Sequence, residues 1–436
     1  MKSSLVPHGA TAPDPAETAK QPSRRERLIA QWARRLRPRF TDNNAVTLYQ
    51  GGLEFFPALA HEISQAQREI FMETYLFHED DSGWAIARAL ADAARRGVRV
   101  YLMVDGFGGG KLCPAQAQLM RESGVRVEIF RAEGSPWVLS RRRLRRLHRK
   151  ITVVDARVAF VGGINIVDDF QDPNHGRLPG PRLDYSTRLE GPILGQIHWA
   201  VHRHFWSTAL VNRALKRAGR SPDERFWEKA RLPEPDPAYV APVGDVRAML
   251  VLRDNIRFRH TIERRYLWAI RRARREIIIA NAYFLPGVRF RRALVAAARR
   301  GVRVRLLLQG RIEYALQHRA SQALYDELLR GGIEIIEYHT SFLHAKVAVI
   351  DDTCTVGSSN IDPFSLLLAR ESNVVFDDAR VAAQLKARLE EAMAEGGKPV
   401  QLRHLERQSW PVRVANWCSF VLLRIAVSLT GVAGRY

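Results

Sequence analysis

The stretch Leu147–Asp155, with the sequence LHRKITVVD, recurs in the second half of the chain as LHAKVAVID at Leu343–Asp351. Both copies have the form His-x-Lys-x4-Asp. The apolar and β-branched residues between lysine and aspartate predict a short strand with the histidine and lysine on one face. A turn rich in glycine and serine then leads to Asn165 or Asn360. Two unrelated buried strands would not need the same polar residues in the same order, so the repeat predicts one shared site.

The internal repeat extends well beyond this motif. A helix end that passes into a strand occurs at residues 66–77 and again at 273–284, 207 positions later. The sequence AARRGVRV occurs at both 93–100 and 297–304, and it predicts a helix that ends at a glycine before a strand. The alternation predicts an α/β fold: two domains related by a pseudo-twofold axis, each a mixed β-sheet flanked by helices, with both motifs at their interface.

The predicted organisation has five parts. A disordered tail and a basic amphipathic helix precede two repeat domains, a proline-rich linker joins the domains, and an apolar, basic segment ends the chain. The basic helix is suited equally to an anionic membrane and to packing on the next domain, and both alternatives stay open. In chain order, the predicted parts are residues 1–43, 44–217, 218–245, 246–398 and 399–436.

Composition narrows the class of protein. The 436 residues are 46% hydrophobic, which excludes a wholly disordered chain, and the formal net charge is +22. This charge predicts an anionic partner, and it leaves both a nucleic acid and a membrane surface open. The three cysteines are far apart in the sequence, and we predict neither a disulfide nor a zinc site from them.

The C-terminal segment indicates how the chain meets a membrane. Residues 410–427 are strongly apolar, but Arg413 and Arg424 interrupt them. The uncharged run between these arginines is well short of the roughly 20 residues that a spanning helix requires. Trp410 and Trp417 are suited to the level of the lipid headgroups. We predict a helix that lies on the membrane, and a helix buried against the domains is the alternative.

The residue types of the motif predict chemistry at phosphorus. A neutral imidazole can attack phosphorus to form a phosphohistidine, and a second imidazole can protonate the leaving oxygen. We therefore predict catalytic roles for His148 and His344, and the near symmetry of the repeat leaves open which is the nucleophile. Ammonium and amide groups stabilise negative phosphate oxygens. The predicted phosphate-binding residues are Lys150, Asn165, Lys346 and Asn360. The sequence contains no acidic ligand cluster, so we predict no metal ion.

Each histidine also needs a carboxylate at its second ring nitrogen to fix its tautomer. Asp184 follows the first motif and Glu371 follows the second, and we assign them this role. Surface ion pairs with neighbouring arginines are the alternative. Asp155 and Asp351 lie an odd number of positions from the lysines, so they are predicted to point to the opposite face of the strand. We interpret them as structural residues that support the site without touching substrate.

The paired motifs resemble those of the phospholipase D superfamily. Within it, the chain is similar to the bacterial cardiolipin synthases, most closely the cardiolipin synthase B type, over roughly residues 48–377. The stretches METYLF at 72–77 and VGSSNIDP at 356–363 support this resemblance. One departure is Ala369, where family members usually carry an asparagine. The resemblance implies two phospholipase D-like domains and a catalytic set of His148, Lys150, Asp155, His344, Lys346 and Asp351.

The resemblance also implies the reaction and its setting. The implied reaction transfers a phosphatidyl group from one phosphatidylglycerol to another, releases glycerol and uses no cofactor. The implied partners are phosphatidylglycerol and other anionic lipids at the surface of a bacterial cell membrane, where the protein is peripheral or monotopic, without a transmembrane span. No nucleic acid and no obligate protein partner are expected. The alternatives are a phosphodiesterase that hydrolyses phospholipid or nucleic acid, and a non-catalytic lipid-binding module.

Overall fold

The structure is a computed structural model, and it describes residues 37–108, 112–131, 145–216, 241–255 and 258–429. The predicted basic helix near the N-terminus lies outside these residues, as does most of the predicted linker. The first strand begins at Thr41, three residues before the predicted start of the first domain.

The first half alternates strands and helices in the predicted manner. Its strands are β1 (Thr41–Gln50), β2 (Glu69–Thr74), β3 (Arg99–Asp105), β4 (Arg126–Phe130), β5 (Ile151–Val154), β6 (Val158–Gly162), the hairpin β7 (Gln171–Asp172) and β8 (Gly176–Arg177), and β9 (Tyr185–Glu190). Its helices are α1 (Gly51–Ser64), α2 (Asp81–Arg95), α3 (Pro114–Glu122) and α4 (Leu194–Lys216).

The second half repeats this alternation and adds a C-terminal extension. Its strands are β10 (Val246–Arg253), β11 (Glu276–Asn281), β12 (Arg303–Gln309), β13 (Glu334–Tyr338), β14 (Lys346–Ile350), β15 (Thr353–Gly357), β16 (Glu371–Asp377) and β17 (Gly397–Pro399). Its helices are α5 (Thr261–Arg272), α6 (Val288–Arg299), α7 (Ala315–Gln322), α8 (Tyr325–Arg330), α9 (Pro363–Leu367), α10 (Ala379–Gly396), α11 (Leu402–Glu406) and α12 (Trp410–Leu429).

One sheet runs through both halves of the described chain. Its strand order is β17-β13-β12-β11-β14-β15-β16-β10-β1-β9-β6-β5-β2-β3-β4. β2, β3 and β4 are parallel, as are β11, β12 and β13, and the other neighbours are antiparallel. β1 and β10 join the halves, and Asn44 Nδ2 donates to the Val246 carbonyl at 3.0 Å across this join. The order is symmetric about this join except for β17, which confirms the predicted duplicated α/β fold.

Local sequence signals account for the helix ends in both halves. Asp80 caps α2 by accepting a hydrogen bond from the Gly83 N–H at 2.8 Å. The glycine of each AARRGVRV copy ends the helix region with a left-handed backbone, with φ +94° at Gly97 and +89° at Gly301. Glycine adopts this conformation without steric cost. Each half then buries its own apolar core between helices and sheet.

The long C-terminal helix α12 has two different faces. On one face Leu423 joins the apolar core of the second half, and Asn416 Nδ2 lies 3.5 Å from Gln322 Oε1. On the other face, Trp410 is 76% exposed, Trp417 62% and Leu422 55%. One face of the helix therefore packs on the second half, and its place on a membrane stays a prediction. Among the helices of the described residues, none has the length and apolar content to cross a bilayer.

Candidate active site

The two motif strands occupy equivalent places in the sheet. β5 lies between β2 and β6, and β14 lies between β11 and β15. β5 is antiparallel to β2, and β14 is antiparallel to β11, so each motif strand begins beside the C-terminal end of its neighbour. His148 and His344 come just before these strands. Both histidines therefore lie at the sheet edge where parallel strands end, which is where α/β proteins commonly place their sites.

Two backbone crossings bring the halves together at the histidines. The His148 N–H donates to the Arg370 carbonyl at 2.9 Å, and the His344 N–H donates to the Leu183 carbonyl at 2.8 Å. Arg370 directly precedes Glu371, and Leu183 directly precedes Asp184. Each histidine is therefore fixed by the segment of the other half that carries a carboxylate.

His344 is held by a carboxylate from the first half. Its Nδ1 lies 2.5 Å from Asp184 Oδ2, and Lys346 Nζ lies 3.6 Å from the same oxygen. Lys346 also donates to the His344 carbonyl. Burial alone would raise the pKa of Asp184, but the charge of Lys346 and the hydrogen bond from His344 lower it. The carboxylate therefore keeps the proton on Nδ1 and leaves Nε2 available for chemistry.

His148 is held by a carboxylate from the second half. Its Nδ1 lies 3.0 Å from each carboxylate oxygen of Glu371 and 3.0 Å from the Ser358 carbonyl oxygen. The Ser358 hydroxyl donates to Glu371 Oε2 at 2.5 Å. Burial lowers the pKa of His148, although the charge of Glu371 opposes this effect. The sequence left the pairing of carboxylates and histidines open, and the structure pairs each with its partner in the other half.

The two lysines place buried positive charge beside both histidines. Lys150 Nζ donates to the His148 carbonyl at 2.9 Å. Burial, together with the charge of Lys346, lowers the pKa of Lys150 to about 7, and burial lowers that of Lys346 to about 8. Lys346 also lowers the pKa of His148, and Lys150 that of His344. The four groups therefore share one electrostatic environment, which suits a phosphodiester anion.

The two asparagines follow the motif strands and have different contacts. Asn165 Oδ1 accepts a hydrogen bond from the Leu76 N–H at 3.3 Å. Asn360 is 4% exposed, and its Oδ1 has no hydrogen-bond partner among the residues that the structure describes. A role for their amide groups in phosphate binding stays a prediction.

Asp155 and Asp351 make structural contacts at the far ends of the motif strands, and their place in the catalytic set stays a prediction. Each lies seven residues after its histidine, about 20 Å further along the strand, where it closes the turn before β2 or β11. Both have a left-handed backbone, with φ +54° and +51°. Each accepts three backbone N–H groups at 2.8–3.1 Å, from Gln67, Arg68 and Glu69 or from Arg274, Arg275 and Glu276. They hold the loop that enters the neighbouring strand and do not touch the reacting groups.

Sequence reasoning missed a buried arginine behind Glu371. Arg253, at the end of β10, is 1% exposed, and its Cα lies opposite that of Glu371. Its Nε donates to the Leu366 carbonyl at 3.1 Å, and its Nη1 donates to the Ala369 carbonyl. Ala369, the position that departs from the family pattern, is therefore held through its backbone. The available signal was an arginine that directly follows the apolar run 248–252 of this strand.

A metal ion requires several ligating side chains grouped together. Within the described ranges, no three His, Cys, Asp or Glu side chains are grouped to hold a metal ion. Metal independence stays a prediction. The cleft brings together two histidines, two lysines and two carboxylates, a set typical of proteins that act on phosphodiesters.

Comparisons with known proteins agree with this class. The profile of the family described as "Cardiolipin synthase, PLD-like domain" matches residues 59–175 and 266–393, one stretch in each half. Cardiolipin synthase B of Escherichia coli (strain K12) is 36% identical over 391 residues, which cover 89% of this chain and 90% of that protein. The major cardiolipin synthase of Bacillus subtilis (strain 168) is 28% identical over 390 residues, covering 88% of this chain and 76% of that protein.

A solved structure shares the fold. The crystal structure of phosphatidylserine synthase from Haemophilus influenzae Rd KW20 matches with a TM-score of 0.62 at 12% identity, covering 92% of this chain and 99% of that one. At this identity the likeness shows the fold alone. With the profile match and the E. coli relative, the chain belongs to the cardiolipin synthase family with phospholipase D-like domains.

Proposed function

We propose that this protein is a cardiolipin synthase that transfers a phosphatidyl group from one phosphatidylglycerol to another and releases glycerol. The observation that carries the proposal is the cross-paired site, in which each histidine is held by a carboxylate of the other half. A buried lysine lies beside each pair. The relatives named cardiolipin synthase, matched over most of their length, support the choice of substrate.

In the first step, Nε2 of His148 attacks the phosphorus of the donor lipid. The new N–P bond forms as the P–O bond to glycerol breaks, and His344 gives a proton to the leaving glycerol oxygen. Glu371 keeps the proton of His148 on Nδ1, so the Nε2 lone pair is free for attack. Lys150 and Lys346 stabilise the non-bridging phosphate oxygens.

His344 must hold a proton to act as the general acid. Burial, followed by the charges of Lys346 and Lys150, lowers its pKa to about 3. A bound phosphodiester offsets the charges of these lysines, and the pKa of His344 therefore rises when the anionic lipid binds. Protonation of the acid is thus coupled to substrate binding.

In the second step, His344 takes a proton from a hydroxyl of the second phosphatidylglycerol. The oxygen attacks phosphorus, the P–N bond breaks, and cardiolipin leaves with His148 restored. Water in place of the lipid hydroxyl would yield phosphatidic acid, so exclusion of water separates transfer from hydrolysis.

The C-terminal helix supports a place at the membrane surface. The exposed face of α12 carries Trp417 and Leu422, and Arg413 is exposed on the same helix. Tryptophan and leucine insert at the headgroup level, and basic residues near an anionic leaflet add about 1 kcal/mol each. We therefore propose peripheral binding to anionic lipid, with the cleft supplied from the bilayer surface.

The activity is tested with phosphatidylglycerol in detergent micelles containing EDTA, with His148→Ala as the control. Cardiolipin and glycerol in equal amounts, absent with the variant, are the expected products. Phosphatidic acid with glycerol would instead indicate a hydrolase. Turnover of nucleic acid without turnover of lipid would overturn the proposal, and loss of activity in EDTA would contradict metal independence.

Membrane binding is tested by co-sedimentation with phosphatidylglycerol vesicles. Leu422→Ser on α12 should weaken binding about tenfold, because a leucine side chain contributes about 1.5–3 kcal/mol when it leaves water. Leu53→Ser provides the matched control, since Leu53 is 71% exposed on α1 in the first half. Equal binding of both variants and the unmodified protein would contradict the proposed surface.

A further inference from the structure

A pocket lies at the C-terminal ends of β11 and β12, lined by residues that end or follow these strands. Its empty volume is about 340 Å³, part of which is open to solvent. Gln309 connects it to the motif strand, because its Oε1 accepts a hydrogen bond from the N–H of Leu343, the residue before His344, at 2.7 Å. The polar residues that line it include Tyr283, Gln309, Glu313 and Gln317.

Two buried amide atoms in this pocket have no hydrogen-bond partner among the described residues. The first is the Nε2 donor of Gln309, a residue that is 7% exposed. The second is the Oε1 acceptor of Gln317. An unpaired buried polar atom costs free energy, and a ligand that binds there would recover it. One donor and one acceptor together favour a ligand that both accepts and donates hydrogen bonds.

The equivalent residue of the first half, Asp105, makes its hydrogen bonds within the protein. Asp105 ends β3 as Gln309 ends β12, and its Oδ2 accepts from the Leu147 N–H at 2.7 Å, as Gln309 does from Leu343. Its other oxygen accepts from the backbone N–H groups of Phe107 and Gly108 at 2.8 and 3.3 Å. Both carboxylate oxygens of Asp105 therefore accept hydrogen bonds from the protein, whereas the Nε2 donor of Gln309 has no protein partner among the described residues.

The charge of the pocket narrows the chemistry further. Two oppositely charged side chains line the pocket, Glu313 and Arg311. Glu313 accepts a hydrogen bond from the Tyr283 hydroxyl at 2.6 Å, and the exposed Arg311 donates to the His339 carbonyl at 3.2 Å. An ammonium headgroup has only donors and would leave the Gln309 donor unpaired, while a carboxylate ligand has only acceptors and would leave the Gln317 acceptor unpaired. A hydroxyl group offers both functions, and adjacent hydroxyls would pair with both glutamines.

We propose that this pocket binds the vicinal diol of a glycerol group, either as the headgroup of phosphatidylglycerol or as free glycerol. This inference rests on the proposed function and names the occupant that lies next to the general acid. It also decides between the two histidines: the glycerol oxygen that gains or loses a proton lies on the side of His344, and His148 attacks phosphorus from the opposite side.

The test is a competition between two alcohols for the same phosphohistidine. With phosphatidylglycerol as the donor, isotopically labelled glycerol and n-propanol are supplied together, and the ratio of labelled phosphatidylglycerol to phosphatidylpropanol is measured. A second arm measures the ratio of cardiolipin to phosphatidylpropanol with phosphatidylglycerol as the acceptor. Because both alcohols compete for one intermediate, each ratio is independent of the rate at which that intermediate forms.

Gln317→Met removes the unpaired acceptor at nearly constant length. Gln309→Glu keeps the acceptor for the Leu343 N–H but removes the donor. Each variant should lower the diol preference about tenfold, the usual effect of one hydrogen bond. Gln118→Met on α3, an exposed glutamine of the first half, is the matched control and should leave the ratio unchanged. Thermal unfolding of each variant identifies any change of fold.

The outcomes separate the occupants and the two proposals. A lower ratio in either arm supports the diol pocket. A decrease in the glycerol arm identifies free glycerol as an occupant, and a decrease in the cardiolipin arm identifies the glycerol headgroup of the lipid. Unchanged ratios with both folded variants would overturn it. If the unmodified protein transfers no phosphatidyl group, the proposed function fails. Saturation-transfer NMR then tests whether glycerol still binds in the pocket. A signal from Gln317→Met equal to that of the unmodified protein would overturn the diol pocket, and a weaker signal would support it.

Discussion

In the two halves of the molecule, the carboxylates that hold the histidines have different neighbours. Glu371 receives a hydrogen bond from the Ser358 hydroxyl at 2.5 Å. At the equivalent position of the first half is Gly163, and a Cβ atom there would lie 2.2 Å from Asp184 Oδ1. Asp184 is instead hydrogen-bonded by the Tyr185 N–H at 2.8 Å. A nearly symmetric repeat therefore surrounds its two histidines asymmetrically.

The polar groups beyond the carboxylates extend this difference. Beside His148, Asp105 is fully buried and lies 3.7 Å from Arg146. Beside His344, the neutral Gln309 takes the place of Asp105 and borders the pocket that contains Glu313. Duplication therefore supplied two equal reacting groups, and the different surroundings of the two histidines assign their roles.

The largest expected effect separates the two histidines. His148→Ala should lower kcat by about 10⁴-fold or more, because the nucleophile is lost. His344→Ala should lower it by about 10²–10⁴-fold with phosphatidylglycerol, as for loss of a general acid. With a p-nitrophenyl phosphatidyl ester, whose leaving group needs no proton, only His344→Ala should still form a phosphohistidine in a rapid-quench experiment. The reverse result would exchange the two roles.

The next effect tests the neighbours of the carboxylates. Gly163→Ala should displace Asp184 and with it His344, and a displacement near 1 Å can lower kcat by about 10²-fold. Ser358→Ala should cost only about tenfold, because Glu371 loses one hydrogen bond and keeps its place. Steady-state kinetics of the two variants, with thermal unfolding as a check of the fold, measure the difference. Equal losses would contradict the asymmetry.

A smaller effect concerns pH. Lys150 is cationic below its pKa of about 7 and neutral above it, so kcat/KM should fall as the pH rises through this value. Lys150→Arg keeps its charge and should move the alkaline limb up to the pKa of Lys346, about 8. Lys386→Arg, in an ion pair with Glu276 outside the cleft, is the control and should leave the profile unchanged. An alkaline limb that stays near pH 7 in Lys150→Arg would show that another group titrates there.

The smallest effect on activity is expected at the aspartates that end the motifs. Asp155→Asn places an amide against three backbone N–H groups, so the free energy of unfolding should fall by about 1–3 kcal/mol. Asp351→Asn should cost less, because Asp351 is less buried than Asp155. Urea unfolding measures both changes, and kcat should stay constant. A large loss of kcat in a folded variant would return these residues to the catalytic set.

Much of the fold was readable from the sequence because the signals are local and occur twice. The AARRGVRV copies predict helix ends at Gly97 and Gly301, and both glycines have the left-handed backbone that such an end requires. The odd spacing from Lys150 to Asp155 predicts opposite faces, and the contacts of Asp155 lie at the far end of the strand. Such signals depend on backbone periodicity alone.

Local sequence patterns predict the repeat, the α/β class and residue types suited to chemistry at phosphorus. The pairing of Glu371 with His148 and of Asp184 with His344 follows from the fold, because each pair joins residues more than 150 positions apart. The fold also places Arg253 where it holds the Ala369 carbonyl, two residues before Glu371, and it leaves the Gln309 donor unpaired among the described residues. Local sequence cannot specify these features, since they depend on which strands become neighbours when the two halves associate.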